Sequence, residues 1–536
     1  MLSPQLFGTF KALPTWSKLA FFITFFSSFN VFSIPNSDVD RHSLNVQSNN
    51  PSGKVTLLVS LNTPPLTESF KELRTLSKNS LLNKNLSQTK KLMALKKSFD
   101  KEKEVLIFQQ DKLLSQFSTM NIPFKLVRRF NLLTNTIAVK VSADKIEDIR
   151  QFKEVKSVQL QQTIKIHLAS SVPLVRAPES WATKDSNGVF LKGQGIRVAV
   201  IDTGVDYMHP DLGGGFGPGF KVVGGWDFAN NDADPMDDIF HGTHVAGIVA
   251  ANGQVVGVAP EASILAYKVF ASNGDAFDAD IIAALELAAD PDGDPLTDDG
   301  ADVINMSLGG PGDENSVLSL ASDAAMQAGI VVVVSAGNDS NLFSLGAPAS
   351  AASIITVGAT DNNKTIASFS SGGPVVGLNI IKPEINAPGV DINSTLLNGG
   401  YGPLSGTSMS SPHVAGAAAL LIQRYPQLSS KQIKELLISS QQNLPGNIYR
   451  DGAGFLDIYA AIIKQVIISP PLINLGEVDR LTQNWQTNSS FTLQNLSSET
   501  KSFQLSTDAL SVLGVQLSFI SSNNITINPG DSATIN

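Results

Sequence analysis

Three short apolar runs, each ending in polar residues, constrain the fold of this chain most strongly. GIRVAVIDTG places Asp202 at a strand end, and ADVINMSLGG and IVVVVSAGND do the same for Ser307 and Asn338. Helical patterns separate the runs, an alternation typical of βαβ units around a parallel sheet. Because ligand sites in such sheets lie beyond the carboxyl ends of the strands, we expect these three residues to share one edge. The predicted fold class is α/β.

Two helix starts add histidines and hydroxyls to this set. HGTHVAGIVAA (residues 241–251) places His241 at the helix mouth and His244 one turn further along, among apolar residues, where we interpret it as structural. GTSMSSPHVAGAAALL (residues 406–421) offers hydroxyls just before an apolar run. These are Thr407, Ser408, Ser410 and Ser411. On this segment alone they fit helix caps better than they fit a nucleophile. The chain has no Cys, which excludes a thiol nucleophile, disulfides and Cys-ligated metals.

Charge divides the chain into two unlike parts. Residues 41–166 carry 22 Lys and Arg against 10 Asp and Glu, whereas residues 167–465 carry 13 against 31. The basic part alternates strand patterns with a lysine-rich helical pattern over residues 66–118, which predicts a small α+β unit. Its lysines alternate with Glu and Leu and no aromatic stacking platform accompanies them, so we predict no nucleic-acid partner. The two charge balances are complementary.

The N-terminal residues predict export. Lys11 and Lys18 precede LAFFITFFSSFNVFS (residues 19–33), a stretch too short and too rich in serine for a comfortable membrane span. We interpret residues 1–33 as a cleaved signal peptide, with an uncleaved anchor as the alternative. The mature protein is expected to be extracellular, free or attached to the cell surface, with no membrane segment of its own.

The ordered motifs IDTG, HPDL, HGTHVAG, NMSLGG, SAGND and GTSMSSPHVAG resemble those of the subtilisin family of serine proteases. The resemblance covers roughly residues 170–465 and implies a subtilisin-like parallel sheet flanked by helices. It also implies that the basic unit is an inhibitory propeptide. Beyond residue 466, short strand patterns suggest the start of a β-sandwich-like domain that continues in longer relatives. The predicted domains are a signal peptide (1–33), a propeptide (34–168), a catalytic domain (169–466) and a β-rich segment (467–536).

The resemblance assigns roles position by position. It implies Asp202 as the triad acid, His241 as general base, Ser408 as nucleophile and Asn338 as oxyanion donor. It implies that substrates lie along an extended edge on one side of the main pocket and against a wall on the other. The edge is formed by Ser307, Leu308 and Gly309, and the wall by Ser335, Ala336 and Gly337. The alternative for SLGG is a simple turn.

The implied function is a secreted serine endopeptidase. It would hydrolyse polypeptides through an acyl-enzyme and remove its own propeptide, which acts as an intramolecular inhibitor. The alternative is a catalytically silent, subtilisin-like binding protein. An α/β-hydrolase esterase fits poorly, because its order is Ser, acid, His and its elbow is G-x-S-x-G, whereas the order here is Asp, His, Ser.

An acidic insertion bears on metal binding. The expected chemistry needs no cofactor, but DPDGDPLTDDGAD (residues 290–302) places Asp290, Asp292 and Asp294 at alternate positions, a spacing that suits calcium. A solvated acidic loop is the alternative. Family members that bind calcium at HPDL have a longer following segment than IVAANGQVV, which puts a ligand role for Asp211 in doubt.

Overall fold

The structure of this protein is a computed structural model. It describes residues 17–18, 53–83, 86–161, 163–166, 171–375, 380–475, 486–506 and 518–536. The predicted signal peptide (1–33) lies outside these residues apart from a two-residue strand, β1 (Ser17–Lys18). The chain divides into two compact units, one formed by Asp38–Ile463 and the other by Met1–Ser37 with Lys464–Asn536. Among the described residues no helix is both long and apolar enough to cross a bilayer.

The N-terminal part of the larger unit is the predicted α+β unit. Its antiparallel sheet has the order β3-β4-β2-β5. The strands are β2 (Lys54–Leu61), β3 (Phe124–Phe130), β4 (Thr136–Ser142) and β5 (Val155–Leu160). The helices are α1 (Thr67–Asn83), α2 (Leu86–Thr119) and α3 (Ile146–Arg150). Its chain then continues into the short strand β6 (Thr163–Ile166).

Strand alternation gives this small sheet two apolar faces. Leu57 and Val59 of β2 pack into a core with Phe117 of α2. Leu58, one residue along and on the opposite face, belongs to a second core that also contains Phe70 of α1. A period of two residues explains this division. The second core extends into the rest of the unit, so the N-terminal part is packed against it.

The rest of the larger unit is built on a seven-stranded parallel sheet of order β15-β14-β13-β11-β7-β9-β8. Its strands are β7 (Arg197–Asp202), β8 (Val222–Asp227), β9 (Ser263–Lys268), β11 (Val303–Met306), β13 (Val331–Ser335), β14 (Ile355–Thr360) and β15 (Ile385–Pro388). Two-residue strands β10 (Ala276–Phe277) and β12 (Leu308–Gly309) and the hairpin β16 (Ile392–Leu396) and β17 (Gly400–Leu404) lie outside this sheet.

Helices cover the sheet, which explains why its central strands are apolar throughout. They are α4 (Ala177–Trp181), α5 (His241–Ala250), α6 (Asp278–Ala289), α7 (Val317–Gln327), α8 (Thr407–Arg424), α9 (Ser430–Ile438), α10 (Ile448–Asp451) and α11 (Ile458–Ile463). Helix α8 packs against β11, β13, β14 and β15 and is buried along nearly its whole length. The predicted α/β fold, a parallel sheet flanked by helices, is confirmed.

The smaller unit contains two three-stranded sheets, β18-β19-β22 and β1-β20-β21. The strands not yet named are β18 (Val466–Ser469), β19 (Phe491–Asn495), β20 (Lys501–Gln504), β21 (Asn524–Ile527) and β22 (Ser532–Ile535). Leu493 of the first sheet and Phe503 of the second lie in one apolar core. This two-layer arrangement agrees with the predicted β-rich segment. The predicted boundaries at residues 168 and 466 stay predictions.

Candidate active site

A buried acid and imidazole meet where β7 ends and α5 begins. Asp202 is the last residue of β7, His241 is the first of α5, and neither side chain is exposed. Oδ1 of Asp202 lies 2.7 Å from Nδ1 of His241 and also accepts the backbone N–H of Thr203 at 2.7 Å. With the carboxylate oxygen as acceptor, Nδ1 is the donor of this contact and Nε2 is the other ring nitrogen. The pair fixes both the tautomer and the ring orientation.

Asp237 holds the start of α5 against the end of β7. It accepts hydrogen bonds from the hydroxyls of Thr203 at 2.9 Å and Thr243 at 2.6 Å, and from the backbone N–H groups of Ile239, Phe240 and Thr243. Burial raises the pKa of Asp237, and these hydrogen bonds oppose that shift. Thr203 in turn accepts the N–H of Gly242 at 2.8 Å. Neither Asp237 nor Thr203 is predicted from the sequence, although an Asp shortly before a helix start is a signal for capping.

Two serines are joined by reciprocal hydrogen bonds. The hydroxyl of Ser408 donates to the carbonyl oxygen of Ser307 at 3.0 Å, and the hydroxyl of Ser307 donates to the carbonyl oxygen of Ser408 at 2.6 Å. Ser307 also accepts from the side-chain amide of Asn305 at 2.9 Å. The second residue of α8 is therefore tied to the residue between β11 and β12. The side chain of Ser307 forms hydrogen bonds inside the protein. Only the backbone of Ser307 can therefore contribute to the predicted substrate edge.

A proline explains why Ser307 is needed there. In a helix the carbonyl of residue 408 would accept the N–H of residue 412, but Pro412 has none. Two hydroxyls donate to the buried Ser408 carbonyl instead, that of Ser307 at 2.6 Å and that of Ser411 at 3.5 Å. Ser411 adds a hydroxyl contact to Ser307 at 2.9 Å.

Asn338 is oriented by Thr407. The side-chain oxygen of Asn338 accepts both the backbone N–H and the hydroxyl of Thr407 at 3.0 Å each. A backbone N–H only donates, so the amide oxygen must face Thr407 and the amide N–H₂ group must face the other way. Gly337, with φ of 101°, donates its N–H to the same hydroxyl at 3.1 Å. The role of Thr407 was not predicted from sequence beyond its fitting a helix start.

The predicted edge and wall lie on neighbouring elements. Leu308 and Gly309 form β12, which pairs antiparallel with β6 of the N-terminal part. Ser335 ends β13 and is 1% exposed, and its hydroxyl has no hydrogen-bond partner among the described residues. Ala336 follows it and donates its N–H to Val357. The alternative that SLGG is a simple turn is wrong, since two of its residues form a strand.

His244 and His413 are also buried, and both are structural. His244 lies 3.0 Å through Nε2 from the carbonyl of Ile392, and burial lowers its pKa to about 3. His413 lies 2.7 Å through Nδ1 from the carbonyl of Met409, and burial lowers its pKa to about 4. Both rings are neutral at physiological pH and serve as hydrogen-bond donors to the backbone.

The acidic insertion groups its carboxylates differently from the prediction. Oxygens of Asp290, Asp292 and Asp299 lie within 4.8 Å of one another, a spacing that could hold a metal ion. Burial and these neighbouring charges raise the pKa of Asp290 to about 6. Asp294, the third predicted ligand, is not part of this group and lies 2.8 Å from Lys96, a contact that spacing along the sequence does not reveal. Metal binding by this loop stays a prediction.

Asp211, whose role as a calcium ligand is in doubt, forms hydrogen bonds within the protein. Its Oδ2 accepts the N–H of Val255 at 2.7 Å, and its carbonyl accepts the N–H of Asn252. The short segment after α5 is thus fixed by Asp211.

The chain is similar in sequence to known proteins of one family. Residues 193–455 match the model of the subtilase family, Peptidase S8. The chain is 42% identical to subtilisin DY of Bacillus licheniformis over 54% of this chain and 97% of that protein. It is 37% identical to subtilisin E of Bacillus subtilis over 61% of this chain and 80% of the relative. It is also 28% identical to the minor extracellular protease Vpr of Bacillus subtilis over 71% of this chain and 67% of that protein.

The reciprocal serine contact yields a test by double substitution. Ser307→Ala should lower the free energy of unfolding by about 1–3 kcal/mol, because it removes the shorter of two hydrogen bonds to the buried Ser408 carbonyl and leaves only that from the Ser411 hydroxyl at 3.5 Å. Pro412→Ala restores a helical N–H to that carbonyl, so in its background the loss should be clearly smaller. Urea unfolding of the four proteins measures the coupling.

Ser410→Ala is the matched control for this cycle. Its hydroxyl donates to the carbonyl of Pro388 at 3.2 Å, so its loss should cost the same in the unsubstituted protein and in the Pro412→Ala background. Equal losses for Ser307→Ala in both backgrounds would contradict the explanation.

Proposed function

Because this chain belongs to the subtilisin family and is a serine endopeptidase, we propose that it hydrolyses polypeptides through Asp202, His241 and Ser408. The observation that carries the proposal is the 2.7 Å contact between buried Asp202 and His241, which leaves Nε2 as a proton acceptor. His241 takes the proton of the Ser408 hydroxyl during attack on the scissile carbonyl and returns it to the leaving amine. Asp202 holds the tautomer and stabilises the imidazolium.

Asn338 and the start of α8 stabilise the tetrahedral intermediate. The amide N–H₂ group of Asn338 is free of Thr407 and is available to donate to the developing oxyanion, since Thr407 occupies the amide oxygen. The backbone N–H of Ser408 at the helix N-terminus is the second donor. Both lie on elements fixed by hydrogen bonds, so little reorganisation accompanies the reaction.

Substitution of single hydroxyls tests the nucleophile. Ser408→Ala should abolish hydrolysis of a chromogenic peptide and labelling by a serine-directed phosphonate. Ser410→Ala and Ser411→Ala should retain most activity, because those hydroxyls bond to Pro388 and Ser307 inside the protein. Phosphonate labelling followed by peptide mapping measures the result. Labelling that persists in Ser408→Ala would overturn the assignment, and no labelling of the unsubstituted protein would favour a silent binding protein.

We propose further that the N-terminal part is a propeptide that inhibits the enzyme after being cut from it. Strand β6 pairs on one side with β10, at Ala276 and Phe277, and on the other with Leu308 and Gly309 of β12. An extended peptide between two edge strands occupies the place of a substrate. The basic charge of residues 41–166 complements the acidic remainder and would favour encounter and register.

Helix α6 receives the propeptide at two carboxylates. One oxygen of Glu286 accepts the backbone N–H groups of Leu132 and Leu133 at 3.1 Å each. Asp280 lies 3.1 Å from the guanidinium of Arg128. Apolar residues of both parts also share one core, including Phe99 of α2 and Ile282 of α6. These contacts hold the propeptide at a face separate from the strand that fills the substrate edge.

The register of β6 narrows the choice of the peptide bond that is cut. Lys165 pairs with Gly309, and Ile166 pairs with Leu308. The residue before Leu308 is Ser307, which contacts Ser408. The next residue of the propeptide is His167, which lies outside the described residues. We therefore expect self-cleavage at the bond after His167, with Leu168 as the new N-terminus. N-terminal sequencing of the unsubstituted protein should give Leu168, whereas Ser408→Ala should remain one chain. Cleavage before Lys165 would contradict this register.

Titration of Glu286 predicts the pH dependence of propeptide release. Burial raises the pKa of Glu286 from 4.5 to about 7 in the assembled protein. Once the propeptide leaves, the carboxyl faces water and its pKa returns towards the ordinary value. The complex therefore binds more protons than the separated parts, so acid favours the complex and release accelerates as pH rises through 7. Asp280, whose pKa burial raises to about 6, adds to the same trend.

Release from the self-processed complex should be on the order of 10- to 100-fold faster at pH 8 than at pH 5. The measurement is the propeptide retained on gel filtration after dilution into each buffer. Glu286→Gln keeps an acceptor oxygen but does not titrate, so its pH dependence should be much flatter. An equally steep dependence in Glu286→Gln would contradict the assignment.

Secretion is the final element of the proposal. It rests on the basic residues and apolar stretch of residues 11–33 and on relatives such as the minor extracellular protease of Bacillus subtilis. The proposed chemistry uses only side-chain and backbone groups of the protein and requires no cofactor, and a calcium ion in the acidic insertion would be structural.

A further inference from the structure

The acidic insertion (residues 290–302) lies at the end of the sheet opposite the substrate edge. It joins α6 to the start of β11, whereas Ser307 follows the carboxyl end of β11. A four-residue strand spans about 13 Å at roughly 3.3 Å per residue, and this strand separates the insertion from Ser307. The insertion carries six Asp residues: Asp290, Asp292, Asp294, Asp298, Asp299 and Asp302.

Propeptide helices α1 and α2 contact this insertion at three points. Lys96 of α2 lies 2.8 Å from Asp294. The hydroxyl of Ser77 donates to the carbonyl of Leu296 at 2.6 Å. The guanidinium of Arg74 donates to the carbonyl of Ala301 and lies 3.9 Å from Asp302.

Arg74 depends on the insertion because it is buried. It is 9% exposed, and burial lowers its pKa while Asp302 and Asp298 oppose the shift. A buried cation without an anionic partner is strongly unfavourable. Ser77 is 3% exposed, so its hydroxyl also relies on the Leu296 carbonyl for a partner. A polypeptide substrate that only fills the edge at β12 makes none of these contacts.

We infer that the acidic insertion is a second anchor for the enzyme's own propeptide, which retains the propeptide after cleavage and selects it over other inhibitory strands. The inference rests on the proposed propeptide function. Two anchors on one partner raise the effective concentration of each contact, so β6 rebinds the edge quickly while α1 and α2 stay on the insertion. The insertion thereby sets how long the enzyme stays inhibited, with no part in the chemistry.

A charge exchange tests the anchor in the self-processed complex. Lys96→Glu and Asp294→Lys should each speed the onset of peptidase activity after dilution by roughly 3- to 10-fold, because like charges then face each other. The double variant should return to within about twofold of the unsubstituted rate. Lys97 is the exposed neighbour of Lys96. Lys97→Glu is therefore the matched control and should leave the onset of peptidase activity unchanged.

A second readout separates this inference from the proposed function. Fully activated Asp294→Lys should hydrolyse a small peptide with unchanged kcat/KM, because the insertion lies away from the substrate edge. The anchor alone would be overturned if the protein cuts itself and is active but neither single variant changes the onset of activity. It would also be overturned if the double variant does not restore that onset. Failure of the unsubstituted protein to cut itself or hydrolyse peptides would overturn the proposed function instead.

Discussion

The reciprocal hydrogen bonds between Ser307 and Ser408 are the interaction on which the site depends. They join the carboxyl end of a central strand to the first turn of the buried helix α8. Pro412 explains the hydrogen bond from Ser307, because the proline removes the helical donor to the Ser408 carbonyl. One contact thus fixes the proposed nucleophile relative to the strand proposed to bind a peptide. Strand β12 follows Ser307 directly and pairs with β6.

The acid and base depend on an equivalent connection at β7 and α5. Asp237 gathers donors from both elements, so the helix that begins with His241 cannot shift without breaking several buried hydrogen bonds. Thr407 does the same between α8 and the turn that carries Asn338. Each candidate catalytic residue therefore has a polar neighbour that restrains its element. Rigid placement of this kind is what electrostatic stabilisation of a transition state requires.

The sequence predicted the elements of the site well and their connections poorly. Strand ends at Asp202 and Ser307 and the helix start at His241 follow from apolar periodicity and glycine positions, and the family resemblance supplied the roles. The internal partners of Ser307 and the binding of Asp294 to Lys96 could not be predicted, because they join residues 101 and 198 positions apart. Such contacts depend on how separate elements pack, which local patterns do not encode. The complementary charges of the two parts were visible, but not the insertion on which they meet.

The central claim is that β6 of the propeptide and a substrate occupy the same edge, β12, in front of Ser408. Hydrogen exchange of the segment containing Leu308 and Gly309 tests this most directly. We predict slow exchange in the self-processed complex, faster exchange once the propeptide has been released, and slow exchange again when a peptidyl phosphonate is bound to Ser408. Exchange at one rate in all three states would contradict the account.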